Sequence, residues 1–351
     1  ASALSICSHV AASSRSGGEY RLRAVSSGPA GNALAEIVQP FRVYPPARQE
    51  VLIGPDLILR FNGKPFLPCF LFDFNDLDAP ETLRYMGAMG FNTILGGTSR
   101  DLDLYAKYHF KVVGWAGPPK ATDPETLRKY RERLIDNYRD LKEHEAFLGY
   151  FLADEPAWNG MPIANLEAAY RIIREFDPYH PVWINEAPRG EIGLIAEYGK
   201  FCDIFGVDIY PVPPPHPHSG LKNKELSCVG DYAARMRSSV DGRKPVWMTL
   251  QGFAWNAHRN LPDPVYPTRE QLRFMVFDSL VNGAQAVGFW GGRSIDNADF
   301  YRNLGETADE LYRLSACLLA PESPEFKPAS SNPGVGILAR AVGGTHVIVA
   351  V

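Results

Sequence analysis

Apolar positions in this chain cluster in short continuous runs. Eight of them space themselves along its middle: Phe66–Asp73, Phe91–Gly97, Phe110–Trp115, Phe147–Ala153, Pro181–Glu186, Asp203–Ile209, Pro245–Gln251 and Gln285–Trp290. They are rich in β-branched and aromatic residues and too continuous for strands with one wet face, so they predict parallel strands buried on both faces. Between the runs the spacing turns helical, with start and stop signals. Pro80-Glu81 opens one helix and Gly90 closes it. Asp123-Pro124-Glu125 sets an N-cap before a proline at the first helical position, ahead of a charged stretch to about Glu145. Leu166–Phe176 and Thr268–Asn282 follow the same pattern, the latter closed by Gly283. Strands alternating with helices in this number predict an α/β fold, a (β/α)8 TIM barrel. The competing arrangement, a doubly wound open sheet, is disfavoured because no Gly-rich phosphate loop follows the first run.

Short β segments flank this unit. Residues 20–44 alternate weakly (Tyr20, Leu22, Ala24, then Ile37, Val38, Phe41, Val43) and predict one or two strands, with Tyr44-Pro45-Pro46 as a linker. Asn62-Gly63, between Leu57–Phe61 and Lys64–Phe66, is a strong hairpin signal. After the Pro/Ser-rich stretch Pro321–Pro333, Gly334–Ala341 and His346–Val351 read as a hairpin turned at Gly343-Gly344. The expected organisation is a β-rich extension and linker over 1–50, a barrel catalytic domain over 51–322, and a C-terminal hairpin over 323–351. That hairpin would open an accessory β domain, and the flanking pieces would be fragments of a β-sandwich. The chain begins at Ala1 and stops inside an apolar run, so it is expected to be a piece of a longer protein.

Composition narrows the function. The 351 residues are 45% apolar and 22% charged, ordinary for a globular protein. Lys+Arg 36 against Asp+Glu 40 leaves a net charge of −4, which argues against a nucleic-acid partner. No apolar run approaches the ~18 residues of a membrane-spanning helix. Five cysteines without a C-x-x-C pair or zinc-type Cys/His spacing make neither a disulfide framework nor a zinc site. Cys69 and Cys202 are expected as buried small hydrophobes. No metal and no cofactor is expected, and oligomeric state is left open.

In (β/α)8 barrels chemistry sits at the C-terminal ends of the strands. Those ends read Phe72-Asp73, Gly96-Gly97-Thr98, Gly114-Trp115, Ala153-Asp154-Glu155-Pro156, Asn185-Glu186, Asp208-Ile209-Tyr210, Leu250-Gln251 and Phe289-Trp290, with Trp255 just beyond the seventh. Carboxylates and amides bond sugar hydroxyls, and aromatic faces stack on the C–H faces of sugar rings, so this set points to a carbohydrate substrate. No Lys or Ser stands at a strand end as a nucleophile. Asp154, Glu155 and Asp208 are the catalytic candidates. Asp73, Trp115, Asn185, Glu186, Tyr210, Gln251, Trp255 and Trp290 are the substrate-binding candidates. The plainer alternative makes the carboxylates helix caps and the tryptophans core. His216-Pro217-His218 follows the sixth run, but two histidines without further ligands make a poor metal site.

The segment Gly149-Tyr-Phe-Leu-Ala-Asp-Glu-Pro156 resembles the strand-4 signature of the large retaining glycoside hydrolase superfamily of (β/α)8 enzymes. Lys244-Pro-Val-Trp-Met-Thr249 resembles the opening of that superfamily's strand 7, Trp290 its strand-8 tryptophan, and Asn62-Gly-Lys-Pro65 its entry to strand 1. The resemblance covers about residues 55–320. It implies hydrolysis of O-glycosidic bonds in an oligo- or polysaccharide, Glu155 as acid/base, and a secreted or periplasmic place, although no signal peptide is visible. Two positions depart from the pattern. Leu250 and Gln251 follow Thr249 where the superfamily has its nucleophilic Glu, and Asp154 replaces the Asn before the acid/base. Three resolutions stay open. Asp154-Glu155 is also the strand-4 pair of the hexosaminidase family, in which the substrate's own 2-acetamido group attacks. Alternatively Asp208, Glu186 or Asp73 supplies the second carboxylate, as nucleophile or as the base of an inverting enzyme. In the third, catalysis is lost and the barrel binds glycans without cutting them.

Overall fold

The structure is a computed structural model that describes residues 17–27, 33–74, 76–77, 79–95, 102–322 and 326–351. Two compact units divide at Arg48/Gln49. In the first, Gly18–Ser27 and Ala33–Val43 form one antiparallel hairpin, with Arg23 on Glu36 at 2.7 Å and Tyr20 stacked on Phe41 at 5.6 Å.

In the second unit eight parallel strands close a barrel: β1 (Cys69–Phe72), β2 (Thr93–Leu95), β3 (Lys111–Trp115), β4 (Phe147–Asp154), β5 (Val182–Glu186), β6 (Ile204–Ile209), β7 (Val246–Gln251) and β8 (Ala286–Trp290). Each pairs with its neighbours in sequence, and β8 closes onto β1. The barrel helices are α1 (Pro80–Ala88), α2 (Leu102–Lys107), α3 (Pro124–Tyr138), α4 (Ile163–Phe176), α5 (Ile192–Tyr198), α6 (Cys228–Ser239), α7 (Arg269–Val281) and α8 (Ala298–Leu318). The expected (β/α)8 architecture with flanking β segments is the observed one.

Local signals operate as their chemistry requires. Asp123 caps α3 by accepting from the Thr126 N–H at 3.0 Å. Thr268 and Gln271 form a reciprocal capping box on α7. Asn62 and Gly63 take positive φ (47° and 79°) and turn a hairpin between Leu59–Phe61 and Lys64–Phe66, to which Val51–Ile53 adds a third strand. Gly343-Gly344 does the same between Ile337–Val342 and Thr345–Ala350. Two expectations change. The first apolar run splits, because Pro68 has no N–H for the ladder, and β1 starts only at Cys69. The charged stretch after Asp123 stays helical only to Tyr138 and then tightens into a 3-10 turn, Leu141–Glu143. Gly96-Gly97-Thr98 lies outside the described residues. Cys69 and Cys202 are buried among apolar neighbours.

The barrel interior is filled by aromatic rings. Phe70, Phe151, Trp183 and Trp247 point inward and touch one another, with centroids 4.8–5.8 Å apart. Room for them comes from inward positions without side chains. A Cβ on Gly288 would lie 2.0 Å from the Phe70 ring, and one on Gly206 would lie 2.4 Å from the Trp183 indole nitrogen. One slip in the ladder shapes the mouth of the barrel. Phe151 pairs with Trp183, but Ala153 pairs with Ile184, so Leu152 is an extra residue in β4. The slip lets Phe151 and Asp154, three residues apart, both face the barrel axis.

Gly288→Ala is expected to destabilise the protein by about 1–3 kcal/mol or more through overpacking against Phe70. Gly193→Ala, on open helix surface with nothing near its added methyl, should instead stabilise by about 0.5–1 kcal/mol. Chemical denaturation of the two variants checks both signs.

Candidate active site

Alternation along the strands carries Asp154, Asn185, Asp208 and Thr249 to one level, directly above the aromatic layer. Asn185 is their hub. Its Nδ2 donates to Asp154 Oδ1 at 3.1 Å and to Asp208 Oδ1 at 3.3 Å, and its Oδ1 accepts from the Thr249 hydroxyl at 3.2 Å. Glu155 follows at the mouth with a left-handed backbone, φ 47°. Its N–H donates to the Asn185 carbonyl at 2.6 Å, which fixes the turn to β5. The Glu155 carboxyl group lies close enough to Asp208 for the two to interact.

Burial on an apolar floor disfavours every negative charge here. Desolvation first, then the Asp154 charge, raises Glu155 from its ordinary value, while the Arg189 charge and the Asp208 side chain pull the other way. Asp208, only 3% exposed, is held much higher by desolvation and by both neighbouring acids. Asp154 is raised by desolvation.

An aromatic wall closes one side. Tyr210 stacks on Trp290 at 5.5 Å and on His218 at 4.7 Å, close to Asp208. Trp255 donates from Nε1 to the Tyr210 carbonyl at 3.2 Å, and Phe253 packs edge-on against Tyr210, Trp255 and Trp290. Trp115, 48% exposed, leans on Phe151 at the rim.

The gathered set thus includes Asp154, Glu155, Asp208, Asn185, Tyr210, Trp255 and Trp290. Three other candidates are engaged elsewhere. Gln251 is buried and spent on backbone. Its Oε1 accepts from the Val212 N–H at 2.8 Å, and its Nε2 donates to the carbonyls of Val212 at 2.9 Å and Phe253 at 3.0 Å. Asp73 is paired with Arg293 at 2.6 Å on the rim. Glu186, next after the inward Asn185, turns to the outer face of β5. There its Oε2 accepts from the Ala157 N–H at 3.2 Å and its Oε1 has no partner among the described residues. Burial pushes Glu186 up to about 8.

Sequence reasoning missed His218, weighing it only as a metal ligand. It lies eight residues after Tyr210, in the loop that follows β6. Its Nδ1 accepts from the Tyr210 N–H at 3.0 Å, so its proton sits on Nε2, 3.7 Å from Asp208 Oδ2. Burial lowers its pKa to about 3, so this approach is a dipole facing a carboxyl group and not an ion pair. Among the described residues no group of three or more His, Cys, Asp or Glu is arranged to hold a metal ion. None of the helices described is long and apolar enough to cross a membrane. A cavity of about 720 Å³ lies at the opposite end of the barrel, between α1 and α8. It contains none of these carboxylates.

No protein-family model and no curated protein matches the chain. Solved structures do. A GH2 beta-galacturonidase from Eisenbergiella tayi superposes with a TM-score of 0.52 at 16% identity, over 84% of this chain and 58% of that one. A glycoside hydrolase family 5 mannosidase from Rhizomucor miehei gives 0.57 at 14%, over 77% and 99%. A further glycoside hydrolase gives 0.56 at 13%, over 78% and 76%. The chain shares the (β/α)8 barrel fold of these proteins. It spans little more than half of the galacturonidase but nearly all of the mannosidase.

The raised Glu186 carboxyl sets a pH signature. Its folded pKa, about 8, exceeds its ordinary value of 4.5, so its contribution to stability is intact below about 4.5 and is lost as pH rises through about 8. Across that window wild type is expected to lose stability relative to Glu186→Gln, by up to about 1.4 kcal/mol per pH unit. Urea melts at several pH values read it out, and parallel curves for the two proteins would refute the assignment.

Proposed function

We propose that this protein hydrolyses O-glycosidic bonds in an oligo- or polysaccharide, with Glu155 as acid/base and Asp208 as its partner carboxylate. The observation that carries this reading is the gathering of acids at the C-terminal mouth of the barrel, where Asn185 ties Asp208 to Asp154, the residue before Glu155. A double displacement needs one carboxyl group as acid/base and a second, about 5–5.5 Å away, as nucleophile, and Glu155 and Asp208 are assigned those roles.

Such a reaction needs a neutral Glu155 and an ionised Asp208. Glu155 then protonates the leaving oxygen while an Asp208 oxygen bonds to the anomeric carbon, and the glycosidic bond breaks. In the second half Glu155, now ionised, takes a proton from water. That water displaces Asp208 from the sugar and restores the starting charges. Asn185, bonded to Asp208 at 3.3 Å, orients it. Trp290 and Tyr210 offer the apolar surface on which a sugar ring stacks.

A second reading rests on Asp154. It lies beside Glu155 with its carboxylate held by Asn185 at 3.1 Å, and β7 carries no acidic residue. On a 2-acetamido sugar, Asp154 would orient the acetamido group, which would replace Asp208 as nucleophile.

A panel of aryl glycosides and natural oligosaccharides, with and without 2-acetamido groups, tests the proposal. Glu155→Gln should lower kcat/KM by about 10²–10⁴ on substrates with poor leaving groups and less on activated aryl glycosides. Asp208→Asn should fail on both, and NMR of the first-formed product should show retained anomeric configuration. Cleavage confined to 2-acetamido sugars selects the second reading. Glycan binding that survives both substitutions, with no cleavage by wild type, replaces hydrolysis by a non-catalytic carbohydrate-binding barrel.

A further inference from the structure

Two guanidinium groups at the mouth have no carboxylate within ion-pair distance among the described residues: Arg189, in the loop after β5, and Arg259, in the loop after β7. Each lies flat against an indole instead, Arg189 over Trp158 at 5.1 Å and Arg259 over Trp255 at 4.9 Å. Their neighbour Arg293 is different, because Asp73 neutralises it at 2.6 Å.

Arg189 is placed by the backbone. Its N–H donates to the Ala187 carbonyl at 2.7 Å. The residue before it, Pro188, receives the Gly220 N–H at 3.1 Å and the Tyr232 hydroxyl. This stitches the β5 loop to the loop that carries His218, two residues before Gly220. The Arg189 charge is felt at both Glu155 and His218, so the cation borders the acidic floor. Stacking on Trp158 keeps the guanidinium's donor edge free and limits its rotation. A floor of three carboxyl groups repels anions, whereas the exposed Arg189 guanidinium beside it is open to one.

We infer that Arg189 seats an anionic group of the substrate, a carboxylate or a sulfate ester on a sugar bound at the mouth. The inference rests on the reading that the mouth takes a glycan. The guanidinium fork matches the oxygens of either anion and forms short charge-assisted hydrogen bonds. Arg259, against the Trp255 ring on which His216 also stacks, adds long-range attraction to the same mouth.

The test separates recognition from catalysis by measuring binding in a Glu155→Gln background. Four probes form two pairs that differ in charge: an oligogalacturonate with its neutral methyl ester, and a carrageenan oligosaccharide with its desulfated form. Calorimetry should show at least one anionic probe binding about 10- to 100-fold more tightly than its neutral counterpart. Arg189→Ala should abolish that preference and leave neutral binding unchanged. Which pair responds tells carboxylate from sulfate. Arg189→Lys should recover part of the preference, since it keeps charge without the fork. The inference is overturned if neither anionic probe outbinds its neutral partner, or if the preference survives Arg189→Ala. An equal loss on charged and neutral probes also overturns it and makes Arg189 a structural support of the mouth. A charge preference in a protein that cleaves nothing would remove the glycosidase reading and leave this one standing.

Discussion

The structure depends on the filling of the barrel by large aromatic rings. Phe70, Phe151, Trp183 and Trp247 occupy the space that a closed eight-stranded sheet leaves along its axis, and Gly206 and Gly288 yield the volume they need. Burying such side chains supplies much of the driving force for closing the sheet, at about 25 cal/mol per Å² of apolar surface. The same rings decide the chemistry one level higher. A carboxyl group resting on them has no water beneath it, so its charge is costly. Asp154, Glu155 and Asp208 are all raised from that cause before any other. Core packing and acid strength at the mouth are therefore one property seen at two heights.

Much of this was legible in the sequence. The continuous apolar runs mark the eight strands because parallel barrel strands are dry on both faces. Caps and turns follow from local chemistry, as at Asp123 and Asn62-Gly63. The strand-end rule gathers Asp154, Asn185, Asp208 and Tyr210 correctly as neighbours. The sequence is silent where side-chain direction decides. Asn185 and Glu186 are consecutive and both polar, and only one can face the axis. Trp183, two positions back, settles it by packing inward, and that depends on Phe70 and Trp247 from other strands. The extra Leu152 in β4 is equally hidden, yet without it Phe151 and Asp154 could not share a face.

Gln251 shows a different limit. Its position at the end of β7 made it a candidate for sugar hydroxyls, but the irregular loop after β6 exposes backbone groups at Val212 that regular structure does not pair. A buried amide with one acceptor and two donors satisfies them and the Phe253 carbonyl together. His218 came into view by the reverse route. Its ring is defined by the Tyr210 N–H, a contact created only when that loop folds back over β6. In both cases the decisive partner is backbone in a loop, which no side-chain pattern encodes.

The place of Glu155 at the mouth follows from how its backbone is held. Its left-handed φ is strained for a residue with a side chain, at a cost of about 1–3 kcal/mol. Three main-chain hydrogen bonds over-determine that conformation: from the Glu155 N–H to the Asn185 carbonyl, from the Asn159 N–H to the Glu155 carbonyl, and from the Ala157 N–H to the Glu186 carboxyl. Two of the three run to β5, a strand of the rigid barrel. The carboxyl group is thus aimed by the fold and not by the rotamers of a free loop. This is why acids that would each prefer water can be held together at the mouth.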